Sequence, residues 1–378
     1  MRVAEVAHFS LPHVGGIESY VHRVARDLLA AGIDCRVYSS SASSGKPGTG
    51  AVGPVPMTWL KSRNLLPRNP WLTGLEAALR EARPDVVHVQ SIWFLPSFQV
   101  GLYKRRLGYR VVNSIHGVLP DRASLAVRAF VQLFKPMAQW ILDRSDLVIV
   151  YNELERAKLL AHFRVAPERI ALASMGADAC TPPPAADLRA LSPYLLFTGR
   201  IIADKNPEVL LRAFAQAAAQ WPALRLVFLG PIEPALQQRL LSLAPATLRP
   251  RVLFTGPLDP VREEERLAAW YANAELSVAI GSWEGLPTRI LESLAQGTPL
   301  LAFPSGGSAQ VVRDGFNAHL VHSLEPEELA RAILRHQALS PEDRQSLRDR
   351  ARASAQAHLW PARFAEIKAV LERAAGLP

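Results

Sequence analysis

Two carboxylates stand close together in residues 276–315, and their spacing suggests a shared task. Glu284 precedes a predicted helix and Glu292 lies two turns inside it, so both fall on roughly one side of that helix. Carboxylates accept hydrogen bonds from hydroxyl groups such as those of sugars. The backbone N–H groups of the helix start, within residues 285–288, favour an anion such as a diphosphate. The spacing alone leaves an alternative open, in which Glu284 only begins the helix and Glu292 is solvated.

The elements around these carboxylates predict a strand–loop–helix–strand unit. Residues 276–280 form a short apolar run, typical of a strand buried on both faces. Pro287 suits the first turn of a helix, and Gly297 followed by a proline ends it. Residues 298–303 predict the next strand. The loop therefore lies at the carboxyl end of a parallel strand, where open α/β sheets bind ligands.

The composition indicates an ordinary globular chain with room for two domains. Of the 378 residues, 49% are hydrophobic and 20% charged, and the sequence shows no apolar run long enough to span a bilayer. Its start has no signal-peptide pattern, and two cysteines predict free thiols in a reducing compartment. We therefore expect a cytoplasmic protein.

The positive charge is concentrated in the first half of the chain. Residues 1–185 carry 22 Lys or Arg against 14 Asp or Glu, which is +8 of the total +9. A basic half suits an anionic acceptor, an anionic membrane surface or nucleic acid. The sequence contains no recognisable nucleic-acid-binding module, so we expect no nucleic-acid partner.

The sequence of residues 284–315 resembles the signature of family 4 of the retaining glycosyltransferases, which have the GT-B fold. The family pattern runs E-G-x-P, a second Glu after seven intervening residues, A-x-G-x-P, and a later G-G before D-G. The matching segments occur in the same order: Glu284-Gly285-Leu286-Pro287, Glu292, Gln296-Gly297-Thr298-Pro299, Gly306-Gly307 and Asp314-Gly315. Gln310 departs from the pattern, because many members carry a Glu there.

The resemblance extends to two further loops of the second half. Gly199, Arg200 and Lys205 match the family's G-R-x(4)-K, with Asn206 in place of the usual Gly. Two cations beside a strand end suit a diphosphate, and they would stabilise the charge that builds on it as the glycosidic bond breaks. The family's F-x-G loop, which lies beside the nucleobase, is matched by Phe254 followed by Thr255, Gly256, Pro257 and Leu258. The resemblance implies that Glu284 holds the sugar hydroxyls and Glu292 the ribose, with the remaining donor contacts from Gly285, Leu286, Pro287 and Thr288.

The first half carries two weaker matches. Gly15-Gly16-Ile17-Glu18 matches the family's G-G-x-E loop, with Gly15 and Gly16 approaching the donor and Glu18 on the acceptor side. His116-Gly117 follows a predicted strand, residues 109–115. A lone His after a strand is more often structural, but in this family it contacts the donor sugar, so we favour a catalytic or acceptor-binding His116.

The alternation of strands and helices in both halves predicts an α/β protein of two Rossmann-like, doubly wound domains facing each other across a cleft. The proline run 182–184 predicts the linker. We expect an acceptor domain over residues 1–182, joined by a crossover helix at 360–378, and a donor domain over residues 183–359. Residues 39–53, rich in Ser and Gly, predict a mobile loop. Residues 122–142 predict an amphipathic helix whose basic flank suits a peripheral membrane contact.

These expectations describe a retaining hexosyltransferase that moves a sugar from a UDP- or GDP-sugar to a glycan or lipid-linked acceptor in cell-surface polysaccharide or glycolipid synthesis. The sequence has no D-x-D pair and no zinc-spaced cluster, so we expect no cofactor and no metal, with Arg200 and Lys205 in the place of a metal. The alternatives are a sugar-nucleotide 2-epimerase of the same fold and a catalytically silent binding protein. Contact with the inner membrane face stays open.

Overall fold

The computed structural model describes residues 1–13, 15–66, 68–119, 125–173, 175–178, 181–182, 184–259, 262–281 and 288–377. The chain divides into two units by its internal contacts. The N-terminal unit comprises Met1–Ser174 and Ala362–Pro378, and the C-terminal unit comprises Met175–Pro361. The boundaries predicted from the sequence lie at 182/183 and 359/360, eight and two residues from these divisions, and stay predictions.

A mainly parallel sheet forms the centre of the N-terminal unit. Its order is β10-β9-β8-β7-β1-β2-β4-β3, and only the β3–β4 pair is antiparallel. Strands β5 and β6 form a separate antiparallel pair. The strands are β1 (Arg2–Val6), β2 (Asp34–Ser40), β3 (Gly48–Val52), β4 (Val55–Leu60), β5 (Ser62–Leu66), β6 (Asn69–Leu72), β7 (Val86–Gln90), β8 (Arg110–Ser114), β9 (Leu147–Val150) and β10 (Ile170–Leu172).

Helices cover both faces of this sheet because its central strands are apolar on both sides. Two buried clusters result, one around Val87, Val89 and Leu79 and another around Ile115, Val148 and Leu159. The helices are α1 (Gly16–Ala30), α2 (Leu75–Ala82), α3 (Leu95–Leu107), α4 (Leu125–Arg144) and α5 (Glu153–His162).

The prediction of a mobile loop over residues 39–53 is wrong. Residues 41–43 form a 3₁₀ turn capped by the Ser40 hydroxyl, and Gly48–Val52 is strand β3. Strand β3 pairs with β4 along its whole length. The Ser/Gly composition misled the prediction because an exposed edge strand buries little and needs few apolar residues.

The C-terminal unit is built on a second parallel sheet, in the order β13-β12-β11-β14-β15-β16. The chain runs outward from β11 through β12 to β13 and then returns to place β14 on the other side of β11. The switch point of this sheet therefore lies between β11 and β14. The strands are β11 (Tyr194–Thr198), β12 (Arg225–Leu229), β13 (Val252–Gly256), β14 (Leu276–Ala279), β15 (Leu300–Ala302) and β16 (Ala318–Leu320).

The helices of the C-terminal unit pack on both faces of its sheet. Phe197, Phe214 and Leu329 belong to the larger buried cluster, and Leu196, Val227 and Trp270 to the smaller one. The helices are α6 (Ala186–Leu191), α7 (Pro207–Gln220), α8 (Pro234–Leu243), α9 (Glu264–Ala272), α10 (Thr288–Ala295), α11 (Pro326–Gln337) and α12 (Pro341–Ala355). This doubly wound α/β architecture confirms the predicted fold class.

The two segments that enter and leave the C-terminal unit pair with each other. Ala177 donates its N–H to the His358 carbonyl at 3.0 Å, and Trp360 donates to the Ala177 carbonyl at 2.9 Å. The terminal helix, α13 (Trp360–Ala375), begins at this bridge, where the sequence predicted a crossover at Trp360.

Candidate active site

The loops that follow β11 and β14 flank the switch point of the C-terminal sheet. The first loop carries Gly199, Arg200 and Lys205, and the second begins at Gly281. Glu284, Gly285, Leu286 and Pro287, which the sequence assigned to the donor site, lie outside the described residues. The described part of the second loop is held at Gly281, whose carbonyl accepts from the Ser305 hydroxyl at 3.1 Å. Thr288 is the first residue of α10.

A close approach of two backbones shapes the loop that carries the cations. Gly230, which follows β12, has φ +150°, and a Cβ there would lie 2.1 Å from the Gly199 carbonyl oxygen. Gly199 has φ +90°, and a Cβ on it would contact the Lys205 ammonium at 3.6 Å. Only glycines allow this turn. Lys205 therefore folds back over the Gly199 turn, while the Arg200 side chain is exposed.

Asn206 joins the cation loop to the strand beside it. It adopts the left-handed conformation, with φ 55°, and immediately precedes α7. Its side-chain Nδ2 donates to the Ile280 carbonyl at 2.7 Å, at the end of the segment that leads into residues 282–287. The family's usual Gly also tolerates a left-handed conformation. The substitution therefore keeps the turn and adds a link between the two loops of the switch point.

Glu292 is connected to the end of β11 through Tyr271. The Tyr271 hydroxyl donates to Glu292 Oε2 at 3.2 Å and lies 2.9 Å from Thr198 Oγ1. Tyr271 is 1% exposed, and burial, followed by the Glu292 charge, raises the pKa of its phenol well above the usual value. The hydroxyl therefore stays protonated, and it fixes a half-buried carboxylate beside the loop that carries Arg200.

Arg289 also contacts the end of β11, from the interior of the C-terminal unit. It is 7% exposed, and its Nη1 donates to the Thr198 carbonyl at 3.3 Å. Its guanidinium also lies 6.0 Å from the centroid of the Phe197 ring. One turn of α10 thus sets both Arg289 against the end of β11 and Glu292 against Tyr271.

The predicted nucleobase loop follows at the edge of the same sheet. Thr255 and Gly256 end β13, and Pro257 and Leu258 come directly after it. Thr255 and Pro257 are exposed, and Gly256 adopts φ +75° with no neighbouring atom in the way. These residues lie at the carboxyl end of β13, two strands from β11.

In the N-terminal unit, the G-G-x-E segment folds onto itself. Glu18 is 4% exposed, and its carboxylate lies so close to Gly15 that a Cβ there would be 2.2 Å from Oε2. Glu18 Oε1 lies 3.9 Å from His13 Nε2. Gly15 immediately precedes α1, and Gly16, its first residue, is exposed. The first glycine therefore makes room for the Glu18 carboxylate at the helix start.

His116 follows β8 and is held at both ring nitrogens. Its Nε2 lies 2.7 Å from Gln90 Oε1, and the Tyr151 hydroxyl lies 2.8 Å from its Nδ1. Burial, followed by the charges of His88 and His8, lowers the pKa of His116 to about 3. The imidazole is therefore neutral at physiological pH. Both nitrogens are engaged within the unit, an arrangement that does not favour His116 as an acid or base toward a substrate.

The sequence analysis missed several residues that hold the predicted site residues in place. Tyr271, Arg289 and Thr198 carry no motif, and their roles arise from contacts between α9, α10 and β11. Asn206 did leave a signal, because it replaces the family's usual glycine. Glu5 left another, since a charged residue inside an apolar central strand demands a buried partner.

Two findings concern what the described residues lack. Among the residues with a described position, no group of three His, Cys, Asp or Glu side chains could hold a metal ion. None of the described helices is long and apolar enough to cross a membrane.

Family models match both halves of the chain. "Glycosyltransferase Family 4" matches residues 14–179, and "Glycosyl transferases group 1" matches residues 192–338. Similar relatives include D-inositol 3-phosphate glycosyltransferases of Thermobispora bispora and of a Nocardioides species. The first is 28% identical over 84% of this chain and 81% of the relative, and the second is 29% identical over 85% and 77%.

Solved structures show the same fold. A sucrose-phosphate synthase from Thermosynechococcus elongatus superposes with a TM-score of 0.78 at 22% identity, covering 98% of both chains. HepE of Anabaena in complex with UDP-glucose superposes with a TM-score of 0.76 at 17% identity, covering 100% of both chains. The signature in residues 284–315, the two doubly wound units and these matches agree: the chain is a glycosyltransferase that belongs to family 4 and has the GT-B fold.

Proposed function

We propose that this glycosyltransferase takes its sugar from a nucleoside-diphospho-sugar, with a UDP-sugar as the first candidate, and transfers it to a small phosphorylated alcohol. The observation that carries the donor half is the switch point of the C-terminal sheet. There Arg200 and Lys205 follow β11, and Glu292 is fixed through Tyr271 to the same strand end. The complex of HepE with UDP-glucose supports uridine as the nucleoside of the donor.

In this proposal the cations act on the leaving diphosphate. Arg200 can bind two of its oxygens at once, and Lys205 supplies a point charge over the Gly199 turn. Fixed positive charge stabilises the negative charge that develops as the glycosidic bond breaks, so no metal is required. Glu292 would bind the ribose hydroxyls, and Glu284 the sugar hydroxyls, as the family resemblance implies.

We further propose that the anomeric configuration is retained by a front-face substitution. The acceptor oxygen attacks from the side of the departing diphosphate, whose oxygen takes the hydroxyl proton. This mechanism needs no covalent nucleophile, and the sequence analysis names no residue of this chain for that role. The configuration of the product's anomeric carbon, measured by NMR, tests this, and inversion would refute it.

A phosphorylated acceptor agrees with two observations. The relatives are named for D-inositol 3-phosphate, and the first half of this chain carries the net positive charge. This acceptor class takes precedence over the polysaccharide acceptor expected from the sequence. The cytoplasmic location stays a prediction.

The first experiment screens UDP, GDP and ADP for thermal stabilisation of the full chain, because a ligand that binds only the folded state raises Tm. The stabilising nucleotide's sugars are then incubated with inositol 3-phosphate or free inositol. Release of nucleoside diphosphate only with the phosphorylated acceptor supports the proposal. Equal release with free inositol refutes the phosphate requirement, and isomerised donor without release would show epimerase chemistry.

A lipid-linked acceptor is the second candidate, because α4 exposes apolar side chains. Leu133 is 76% exposed and Phe130 is 36% exposed, and Phe130 stacks on Phe134 with ring centroids 4.4 Å apart. Apolar groups on a basic unit suit the surface of an anionic membrane. Sedimentation with anionic vesicles at low salt, lost in Leu133→Gln, would support this candidate. Failure of the wild-type chain to sediment would remove it.

A further inference from the structure

Three arginines lie along one side of α12, four residues apart: Arg344, Arg348 and Arg352. Each donates to a main-chain carbonyl at the end of a different helix, the first at α11, the second at α9 and the third at α10. Carbonyl groups at a helix C-terminus have no partner within the helix and carry partial negative charge, so a cation stabilises them. We call these three side chains the α12 arginine row.

Arg348 holds the end of α9. Its Nη2 donates to the Ala272 carbonyl at 2.5 Å, and its Nη1 donates to the Ala274 carbonyl at 2.9 Å. Burial lowers the pKa of Arg348, but an arginine stays charged at physiological pH, so both hydrogen bonds are charge-assisted. Ala272 is the last residue of α9 and directly follows Tyr271. The guanidinium therefore fixes the main chain beside the tyrosine whose hydroxyl contacts Glu292.

Arg352 reaches the end of α10, the helix that carries Glu292. Its Nη2 donates to the Gln296 carbonyl at 3.4 Å, and a Cβ on Gly297 would lie 2.8 Å from the same nitrogen. Gly297 has φ +71°, the left-handed conformation that commonly ends a helix. This glycine therefore turns the chain and also leaves room for the guanidinium. Because Arg352 is exposed and its bond is longer, it is the weaker of the two links.

Thr298 joins the ends of α9 and α10 directly. It is 0% exposed, and its Oγ1 donates to the Tyr271 carbonyl at 2.5 Å. The Ser293 hydroxyl, on α10, donates in turn to the Thr298 carbonyl at 2.9 Å. These contacts explain two positions of residues 296–299, a segment that matches the family signature. Its glycine leaves room for Arg352, and its threonine binds the main chain at the end of α9.

We propose that Arg348, assisted by Arg352, holds the ends of α9 and α10 in the arrangement in which the Tyr271 hydroxyl meets Glu292. Arg348 is then a positioning residue for the donor site, and it acts through Tyr271 without touching the donor. This inference deepens the proposed function and rests on it, because there Glu292 binds the ribose. The contacts between the arginine row and the helix ends do not depend on that function.

Arg348→Met and Arg344→Met compare two members of the row. Arg344 donates to the Leu339 carbonyl at 3.3 Å and to the Gln337 carbonyl, at the end of α11, a helix without a predicted site residue. We expect both variants to lower the Tm of the full chain by roughly 4–8 °C, because each loses two hydrogen bonds from a charged donor. Only Arg348→Met should raise the Kd of the stabilising nucleotide, by about five- to tenfold, because Glu292 must then be ordered on binding. Equal Kd values of the wild type and Arg348→Met would overturn the positioning role.

Steady-state kinetics and a double variant test the route through Tyr271. A ribose contact is the same in the ground state and the transition state, so Arg348→Met should raise the KM for the donor and change kcat by less than about threefold. If the effect passes through the Tyr271 hydroxyl, adding Arg348→Met to Tyr271→Phe should change the nucleotide's Kd by less than about twofold. A further rise as large as in the wild-type background would show that the two residues act independently and would overturn this route.

Gly297→Ala tests the room left for Arg352, and Gly32→Ala is its matched control. Gly32 follows α1 at φ +75°, with no atom near the position of a Cβ. Both alanines strain a left-handed turn, but only the one at 297 displaces the guanidinium and lies 3.1 Å from the Arg348 carbonyl oxygen. We expect both variants to lower Tm and only Gly297→Ala to raise the nucleotide's Kd, by about threefold or more. An unchanged Kd in Gly297→Ala would refute the part assigned to Arg352.

Hydrogen exchange of the ligand-free chain separates the helix-end contacts from the proposed function. We expect Arg348→Met to speed amide exchange in residues 268–275 and 292–298, and Arg344→Met to speed it in residues 333–339 instead. The same exchange pattern in both variants would overturn the contacts. If no nucleotide binds the wild type, the proposed donor and the positioning role both fail, while exchange still decides the contacts. If a nucleotide binds and Arg348→Met exchanges faster at an unchanged Kd, only the positioning role is refuted.

Discussion

Tyr271→Phe tests whether the structure holds Glu292 ready for the donor. The substitution removes one hydroxyl and leaves the aromatic ring of residue 271 in place inside the buried cluster around Trp270. That hydroxyl connects Glu292 Oε2, at 3.2 Å, with Thr198 Oγ1, at 2.9 Å. Without it, Glu292 loses its connection through Tyr271 to the end of β11, and the residue that we propose as the ribose ligand is no longer fixed in advance.

The size of the effect follows from the two roles of the hydroxyl. A buried hydrogen bond to a charged group contributes about 1.5–3 kcal/mol, so the unfolding free energy should fall by about 2 kcal/mol. In a unit of this size that corresponds to a Tm lower by roughly 4–8 °C. Ordering one freed side chain on binding costs about 0.5–1.5 kcal/mol, which raises the donor nucleotide's Kd about 2- to 12-fold.

The assay pairs calorimetric titration of the stabilising nucleotide with thermal unfolding. Tyr194→Phe is the matched control, because its buried hydroxyl donates to the Trp270 carbonyl at 2.6 Å without touching Glu292. We expect both variants to lose stability and only Tyr271→Phe to lose affinity. Equal nucleotide affinity in the wild type and both variants would refute the claim that Tyr271 positions Glu292 for the donor.

Three further predictions address the loops and the histidines. Gly230→Ala places a Cβ 2.1 Å from a backbone carbonyl oxygen at φ +150°, so it should lower the free energy of unfolding, measured in urea, by more than about 3 kcal/mol. Gly256→Ala, at φ +75° in open space, should lower it by only about 1 kcal/mol. Equal losses of unfolding free energy in the two variants would contradict the close-approach argument. Asn206→Gly should lower the free energy of unfolding by about 1 kcal/mol, because the hydrogen bond to the Ile280 carbonyl is lost. Asn206→Ala should lower it by about 1 kcal/mol more, because alanine resists the left-handed conformation of this position. The same urea measurements check this, and equal stability of the two variants would refute it. Burial lowers the pKa of His8 and of His116 to about 3, below the unfolded value of 6.5, so the unfolded chain takes up protons first and stability falls as the pH drops from about 6.5 toward 3. The slope contributed by each histidine is at most about 1.4 kcal/mol per pH unit, and His8→Gln should reduce the slope between pH 6.5 and 4.

The sequence predicted the strand–loop–helix units because their signals are local. Residues 276–280 and 109–115 were predicted as strands, and the structure has Leu276–Ala279 and Arg110–Ser114 there, since short apolar runs between polar turns leave few alternatives. Residues 122–142 were predicted as an amphipathic helix, and the structure describes the helix Leu125–Arg144 there. The prediction over residues 39–53 was wrong because an edge strand depends on its partner more than on its own composition.

For the candidate site, the sequence indicated which residues could bind a donor, and the fold determined which other side chains they contact. The motif matches predicted donor-binding roles for Arg200, Lys205 and Glu292, and the roles of all three stay predictions. Tyr271 could not be found in this way, because its hydroxyl meets Glu292 only after α9 and α10 pack on the same face of the sheet. The geometry also shows His116 engaged at both nitrogens, which no spacing could reveal.

By itself, then, the sequence determined the family, the α/β class and the positions of the loops at strand ends, because periodicity and motif spacing are properties of neighbouring residues. The tertiary structure decided which polar groups are buried together: Glu5 with His88 and Gln90, and Tyr271 with Glu292 and Thr198. These partners lie between 21 and 85 positions apart along the chain. Their pairing is set by strand order and helix packing, and a buried polar group must find a partner wherever the fold places one.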